Sequence, residues 1–428
     1  MQLTDHEKAM RDGAEGAAKR KAMELLIRYG EALGAERFVD TNNVAGVPGW
    51  ATPFMREYYK DRGTSYDAIF SLFDLDSDEI VEVPKMTAYS CHLQGSMDPV
   101  NSQMQGMSAE ALANYQSDEA AVGAHGIQVL KTCTPYLAGN VPVKGEHCAW
   151  MESSAVVFAN SVIGARTNVE GRESTSSAML TGKIPDWGFH RDEFRFGTHH
   201  IEVDVPVTDV FNWGMLGYFV GDAVQENIPV ITGGVGQASL IKHKHFGAAA
   251  ASSGGVEMYH MVGITPEAPS YEVASGSRRP AEKIRYGKAE QRKVYDTLNS
   301  VGSNPNVDYV MLGCPHASIE QIWEVASLLD GKTLHSGCNL WLFTSRSVKA
   351  VADATGYTKT IRDAGGMVLP KAEQVSVMIT PPGVKVVALD SAKQTHYLPA
   401  MMGVEAWFGT TRDCVNAALT GRWNGDLP

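Results

Sequence analysis

The chain has 428 residues, 44% hydrophobic and 20% charged. That composition suits two or three compact units and excludes a disordered chain. With 37 basic against 49 acidic residues the formal charge is −12, which argues against a nucleic-acid binder.

No run reaches about 18 apolar residues, so no membrane span is expected. The polar start Met1-Gln2-Leu3-Thr4-Asp5-His6-Glu7 lacks the apolar segment of a secretion signal. The six cysteines, Cys91, Cys133, Cys148, Cys314, Cys338 and Cys414, are widely spaced and form no CxxC pair. Thiols or metal ligands in a reducing cytoplasm are therefore expected rather than disulfides.

Thr4 followed by Glu7 forms a capping box that opens a helix. A second helix is expected over Ala17–Tyr29, stopping at Gly30. Gly46-Val47-Pro48-Gly49 reads as a loop, Ala68–Phe73 as a strand, Lys85–Asn101 as irregular and Ser108–Leu130 as mostly helical. Cys133–Asn140 is turn-rich. It leads through Gly145–Glu152 into a small-residue helix, Ser153–Ile163, that ends at Gly164. Glu152 at that helix start is either a first-turn acid favoured by the helix dipole or a catalytic group.

Ile184–His200 is rich in aromatic residues, histidine and acids. His190, His199 and His200 lack HxxxH spacing, and adjacent histidines point apart, so the pattern does not favour zinc. Gly233-Gly234-Val235-Gly236 has neither the lysine of a P-loop nor a dinucleotide fingerprint, so it reads as a loop needing positive φ. The basic run Arg278–Lys293 also holds Glu282 and Glu290 and reads as a solvated face or connector.

From about residue 300, strands and helices alternate: strand Val307–Leu312, helix Ala317–Asp330, strand Leu340–Thr344, helices Ser347–Ala354 and Thr358–Ala364. Strands Met367–Leu369, Val377–Thr380 and Val384–Leu389 follow. This order predicts right-handed crossovers and a parallel sheet. Ile319, Ile322, Trp323, Ala326 and Leu329 are expected on the buried face of the first helix. Gly313-Cys314-Pro315-His316 lies between strand and helix, where open α/β sheets place their chemistry and a helix start favours thiolate. A small buried residue at a tight turn is the structural alternative.

Six stretches taken together are more specific. They are Cys133-Thr134-Pro135-Tyr136-Leu137, Gly145-Glu146-His147, Trp150–Ala155, Gly164–Asn168, Gly313–Ser318 and Ser391-Ala392-Lys393. In this order they resemble the large catalytic subunit of the aconitase X family over nearly the whole chain. The resemblance implies an aconitase-like, multi-lobe α/β/α architecture with largely parallel sheets, in lobes of about 1–130, 131–299 and 300–428. It implies a hydro-lyase that dehydrates a small hydroxy acid, cis-3-hydroxy-L-proline to a pyrroline carboxylate or, alternatively, (R)-mevalonate 5-phosphate. It also implies an iron–sulfur cluster and, since the chain ends at Pro428 without a swivel domain, a separate small swivel-domain subunit. No nucleic acid or membrane partner is expected.

Carried over by position, the resemblance makes Cys133 and Cys314 metal ligands. Gly46, Val47 and Pro48 become a substrate loop, and Glu152, Ser153 and Lys393 active-site positions that bind substrate and act in catalysis. Thiolates hold such clusters, an open iron is a Lewis acid for a hydroxyl, and dehydration beside a carboxylate needs a base and a cation. Glu152 suits the base, and Lys393 or Arg166 the cation.

The chain departs from the family where a third cysteine normally stands. The matching residue is Ser376, a poor ligand beside a thiolate, with Cys338 as the other candidate although it precedes its strand. The usual Asn-Pro loop is Leu93-Gln94, and a histidine before Gly46 is Asn43. These changes are compatible with another substrate, a smaller cluster, a single iron, or a non-catalytic scaffold without a cluster.

Overall fold

The computed structural model describes residues 1–48, 83–93, 98–103, 108–370 and 380–427. Three lobes follow one another, each built on a parallel sheet. The first lobe opens with α1 (Asp5–Arg11), whose start is the expected capping box: Thr4 Oγ1 accepts the Glu7 N–H, and the Glu7 carboxylate accepts that of Thr4. After it come α2 (Ala17–Ala32), β1 (Phe38–Asp40), β2 (Asn43–Gly46), β3 (Tyr89–His92) and α3 (Ala109–Ala124). Next are β4 (Cys148–Trp150), α4 (Ser153–Phe158), α5 (Arg172–Thr181) and β5 (Lys183–Pro185). The main sheet runs β3-β2-β4, all parallel, while β1 pairs antiparallel with β5. Sheet pairing thus carries this lobe well past residue 130.

The second lobe holds β6 (His199–Val207), α6 (Val210–Val224), β7 (Pro229–Val235), α7 (Leu240–Gly254) and β8 (His260–Met261). It closes with α8 (Tyr271–Ser275), β9 (Glu282–Tyr286) and α9 (Lys288–Leu298). Its sheet order is β8-β7-β6-β9, again parallel. β6 alternates buried and exposed side chains, as a strand with one covered face must.

The third lobe comprises β10 (Tyr309–Ala317), α10 (Ile319–Leu329), β11 (Asn339–Thr344), α11 (Arg346–Thr355), α12 (Tyr357–Asp363) and β12 (Met367–Leu369). β13 (Val386–Leu389), α13 (Ala392–Met402), β14 (Glu405–Phe408) and α14 (Thr411–Thr420) complete it. The five strands lie in the order β12-β11-β10-β13-β14, all parallel. Helices cover both faces, so the strands read as continuous apolar runs. Leu340 and Leu342 pack with Ile322, Val325 and Leu329 on one side. Trp341 and Phe343 pack with Tyr309, Met311 and Cys314 on the other. Among the described residues no helix is long and apolar enough to cross a membrane.

The α/β class and parallel sheets match the sequence reading, but several local expectations change. α2 continues through Gly30, because that residue is buried against the rest of the lobe and needs no turn. Lys85–Asn101 is not wholly irregular, since β3 hydrogen-bonds to β2 there. Gly46 ends a strand. Gly233 does take positive φ, at +94°, but within β7, where a Cβ would sit 2.4 Å from the Val203 carbonyl. The basic run becomes edge strand β9 and the start of α9. On α10, Trp323 is 51% exposed and Val325 takes its place inside. The expected strand at Ala68–Phe73 and most of that at Val377–Thr380 lie outside the described residues.

Candidate active site

The centre of the site is a bulge in β10. β10 and β11 stay in register up to Leu312 opposite Leu342, then resume at Ala317 opposite Thr344. Five steps along one strand face two along the other, so Gly313–His316 arches out of the ladder. Gly313 makes this arch feasible: its φ is +88°, and a Cβ would lie 2.1 Å from the Phe343 carbonyl oxygen. The arch carries Cys314, 2% exposed. α10 begins beyond it, capped by Ser318 in a box with Gln321. Cys314 therefore lies on a bulge within the strand rather than at a junction where the strand has already ended.

Side chains from the other two lobes close on the arch. From the first lobe, Thr132 Oγ1 lies 2.7 Å from His316 Nδ1, and the His316 N–H donates to Cys133 Sγ at 3.2 Å. From the second, Lys244 on α7 donates to the carbonyls of Pro315 at 3.1 Å and His316 at 2.7 Å, and to the Gln321 side-chain oxygen. Lys244 is 2% exposed. Burial pulls its pKa down to about 8, while the nearby Cys133, Asp390 and Cys314 act in the opposite sense. Asp390, bonded to Thr411 at 2.9 Å, is pushed up to about 6 by burial.

A second cluster joins the first and third lobes. Glu152 caps α4, accepting the Ala155 N–H at 2.7 Å through one carboxylate oxygen. The other accepts Lys393 Nζ at 2.9 Å and the Ser154 hydroxyl at 3.1 Å, and Lys393 also donates to Ser154 Oγ at 2.8 Å. Lys393 sits in the first turn of α13, whose N-cap is Ser391. Between the thiol and this cluster lies Tyr136, stacked on Phe158 with ring centroids 3.8 Å apart. Its hydroxyl is buried without a hydrogen-bond partner among the described residues. Cys133, Glu152 and Lys393 are its electrostatic neighbours. Gly46, Val47 and Pro48 are buried where β2 ends, and the Met151 N–H bonds to Ala45 beside them.

The arrangement thus collects Cys133, Cys314, Glu152 and Lys393, with Gly46–Pro48 at a neighbouring strand end. Ser153 faces elsewhere, into a cavity of about 500 Å³ with Asn168, Trp187 and Glu257; its neighbour Ser154 holds the Lys393–Glu152 pair. Arg166 lies at the other end of β4. It donates to the His190 carbonyl at 2.8 Å, pairs with Asp192, and lines a separate cavity of about 530 Å³. Its backbone pairs with His147, at the opposite end of the strand from Glu152.

Cys338 precedes β11 and packs on the opposite sheet face from Cys314, six residues before the strand's end. At about 3.3 Å per residue that separates it from the arch by roughly 20 Å. His190 pairs with His147, His199 with Thr198 and His200 with Thr232. Ser376 and Gln94 lie outside the described residues. Among the described residues no three His, Cys, Asp or Glu side chains converge as a metal site.

Sequence reasoning passed over Lys244, Ser154, Thr132 and Asp390. Ser154 was within reach, as the second of two adjacent serines after Glu152. Lys244 had no signal, since Lys242-His243-Lys244-His245 matches no motif.

Buried thiols beside a buried carboxylate–ammonium pair, at the meeting of three parallel sheets, define an α/β enzyme. Models of the aconitase X first, second and third domains match residues 1–193, 197–296 and 307–420. The chain is 35% identical to the phosphomevalonate dehydratase large subunit of Methanocaldococcus jannaschii, over 96% of this chain and 98% of that one. It is 32% identical to the cis-3-hydroxy-L-proline dehydratase of Pseudomonas aeruginosa, over 100% of this chain and 71% of that protein. The crystal structure of holo aconitase X from Thermococcus kodakaraensis superposes with a TM-score of 0.80 at 29% identity, covering 98% of this chain and 100% of that chain. The chain belongs to the aconitase X family, and is a lyase of the dehydratase class.

Proposed function

We propose that the chain is the large, catalytic subunit of an iron-dependent hydro-lyase, with cis-3-hydroxy-L-proline as substrate. The observation that carries this reading is the buried Glu152–Ser154–Lys393 cluster next to Cys133 and Cys314. Loss of the α-proton and of the 3-hydroxyl as water gives an enamine that tautomerises to the cyclic imine, a pyrroline carboxylate. Glu152 accepts the α-proton. Lys393 and Ser154 fix its carboxylate, and Lys393 presents positive charge to the substrate carboxylate.

The donor set fits a thiolate-held iron group. Two buried thiols meet at the arch, Cys314 on the bulge of β10 and Cys133 in the turn before Pro135, the latter receiving a backbone N–H, and a buried ammonium lies beside them. When bound by Cys133 and Cys314, such a group supplies a Lewis acid for the departing hydroxyl. With serine at position 376, a small cluster or a single iron is the form proposed.

(R)-Mevalonate 5-phosphate is the second reading, favoured by the end-to-end match to relatives named as large subunits for that substrate. Against it, Lys131 and Arg346 share Glu119, and Asp118 and Asp98 act on them in the same sense, so these two cations already face acids and offer little to a phosphate dianion. The "large subunit" names support a separate small subunit as partner, here proposed to carry the swivel domain.

Anaerobic co-expression with the small subunit, iron and sulfide quantitation, and a panel of hydroxy acids test the proposal. The expected result is an iron-bearing complex that converts cis-3-hydroxy-L-proline to the pyrroline carboxylate. Turnover of mevalonate 5-phosphate alone would replace the substrate. Absence of iron and of any turnover would sink the enzyme reading in favour of a scaffold.

A further inference from the structure

A lysine is almost never fully buried without a charged partner, because desolvating an ammonium is costly. Lys244 breaks that rule. Its three hydrogen-bond acceptors are two backbone carbonyls and a side-chain amide, all neutral. Among the described residues no carboxylate pairs with it.

The geometry of one peptide group shows what the ammonium is for. The Pro315 carbonyl and the His316 N–H belong to the same peptide plane. Lys244 Nζ grips its oxygen at 3.1 Å, and its N–H donates to Cys133 Sγ at 3.2 Å. An ammonium on the oxygen polarises the plane and strengthens the N–H as a donor. It also blocks a peptide flip, since that would withdraw the N–H from the sulfur. The next carbonyl, His316, is held at 2.7 Å by the same ammonium. Gln321 ties the arrangement to both helices: its oxygen accepts from Lys244 and the Ser318 N–H, and its amide nitrogen lies 3.0 Å from His245 Nε2.

We propose that Lys244 is the positioning residue of the thiolate centre. It locks the Pro315–His316 peptide so that the N–H points at Cys133, and it offsets the negative charge of two thiolates across the lobe boundary. This rests on the iron reading given above. With iron bound, the two thiolates and the buried Asp390 carboxylate are the electrostatic neighbours of the lysine.

The test uses the anaerobically purified complex with its small subunit. The rate of iron loss to a ferrous chelator, the visible absorption, and the melting temperature of the metal-free protein are compared for wild type, Lys244→Met and Lys244→Gln. Lys244→Met should lose iron at least ten-fold faster while its metal-free form melts only modestly lower than wild type, since three buried acceptors lose a donor but no ion pair is broken. Lys244→Gln, which keeps a donor but no charge, should fall between the two. It also serves alone if the methionine variant does not fold. Iron retention equal to wild type in the folded variants overturns the role of Lys244 and leaves the iron reading intact. A wild-type complex without iron overturns both.

Discussion

Glu152 and Lys393 have side chains only 6% exposed, so neither charge has bulk water to solvate it. Each is tolerable because the other is 2.9 Å away and Ser154 bonds to both. Removing one partner leaves a lone buried charge, so Glu152→Gln or Lys393→Met alone should cost about 3–5 kcal/mol. The double variant should recover most of that loss while remaining inactive. Urea unfolding of the two singles and the double closes the cycle, and additive losses would show that the pair is not coupled. Both residues were legible through their motifs, Trp150–Ala155 and Ser391–Lys393, whereas their shared partner Ser154 was not. Motif matching assigns positions; only the fold decides which of two adjacent serines turns inward.

Glu170, at the same scale, is not a member of the Glu152–Ser154–Lys393 cluster. It is buried, accepts the Tyr29 hydroxyl at 3.1 Å, and is pushed up to about 7 by burial, with Glu257 adding to the effect. A carboxyl raised in the folded state adds stability below its unfolded pKa and loses it as pH rises through the folded value. From 4.5 to about 7 the loss approaches about 3 kcal/mol. Glu170→Gln should therefore be the more stable protein at pH 8 and gain nothing at pH 4. Denaturation midpoints at the two pH values measure this, and a pH-independent difference would rule the mechanism out.

Among elements, β10 shows where local pattern stops being informative. The apolar run up to Leu312 was readable as a strand, and Ala317–Asp330 as a helix. The four residues between them were readable only as a junction. Their arch is a register event between two strands, created by pairing with β11, and pairing is invisible in a single chain segment. The same holds for β3, taken as irregular until β2 lies beside it. Gly313 is the residue that fixes the arch. Gly313→Ala combines an unfavourable φ with a clash against the Phe343 carbonyl. It should cost about 2–4 kcal/mol, the strain of a side chain at positive φ together with a displaced backbone. The same variant should also bind less iron, because Cys314 is the next residue. Unchanged stability would mean that β11 moves to make room.

For the whole molecule, the parallel sheet after residue 300 was expected from the alternation of strands and helices, and the other two only from the family resemblance. Their convergence was not expected, because it depends on contacts between residues far apart in the chain. Apolar packing contributes, with Val157 in the second-lobe core and Ala392 and Phe408 against Phe211 and Met215, and polar contacts add to it. Thr132 and Cys133 reach His316, Lys393 reaches Glu152, Lys244 reaches Pro315, and Arg346 reaches Glu119. The last lies outside the proposed chemistry and so isolates the mechanical role. Arg346, the first residue of α11, donates to both Glu119 oxygens at 3.1 and 2.7 Å and to the Tyr115 hydroxyl at 2.8 Å. Glu119 also faces Lys131 at 3.4 Å, which in turn lies over the Tyr115 ring at 4.1 Å. Removing Arg346 leaves Glu119 with Lys131, so no charge is stranded and the global cost stays near 1–2 kcal/mol for a partly exposed pair. The local consequence is larger, because α3 of the first lobe loses its tie to the third. Arg346→Met should speed amide exchange in α3 and at the start of α11 while leaving the strands of both sheets protected. If substrate capture depends on the lobes holding together, KM should rise several-fold with kcat little changed. Exchange that stays as slow as in wild type would show that Arg346 is not what ties α3 to the third lobe.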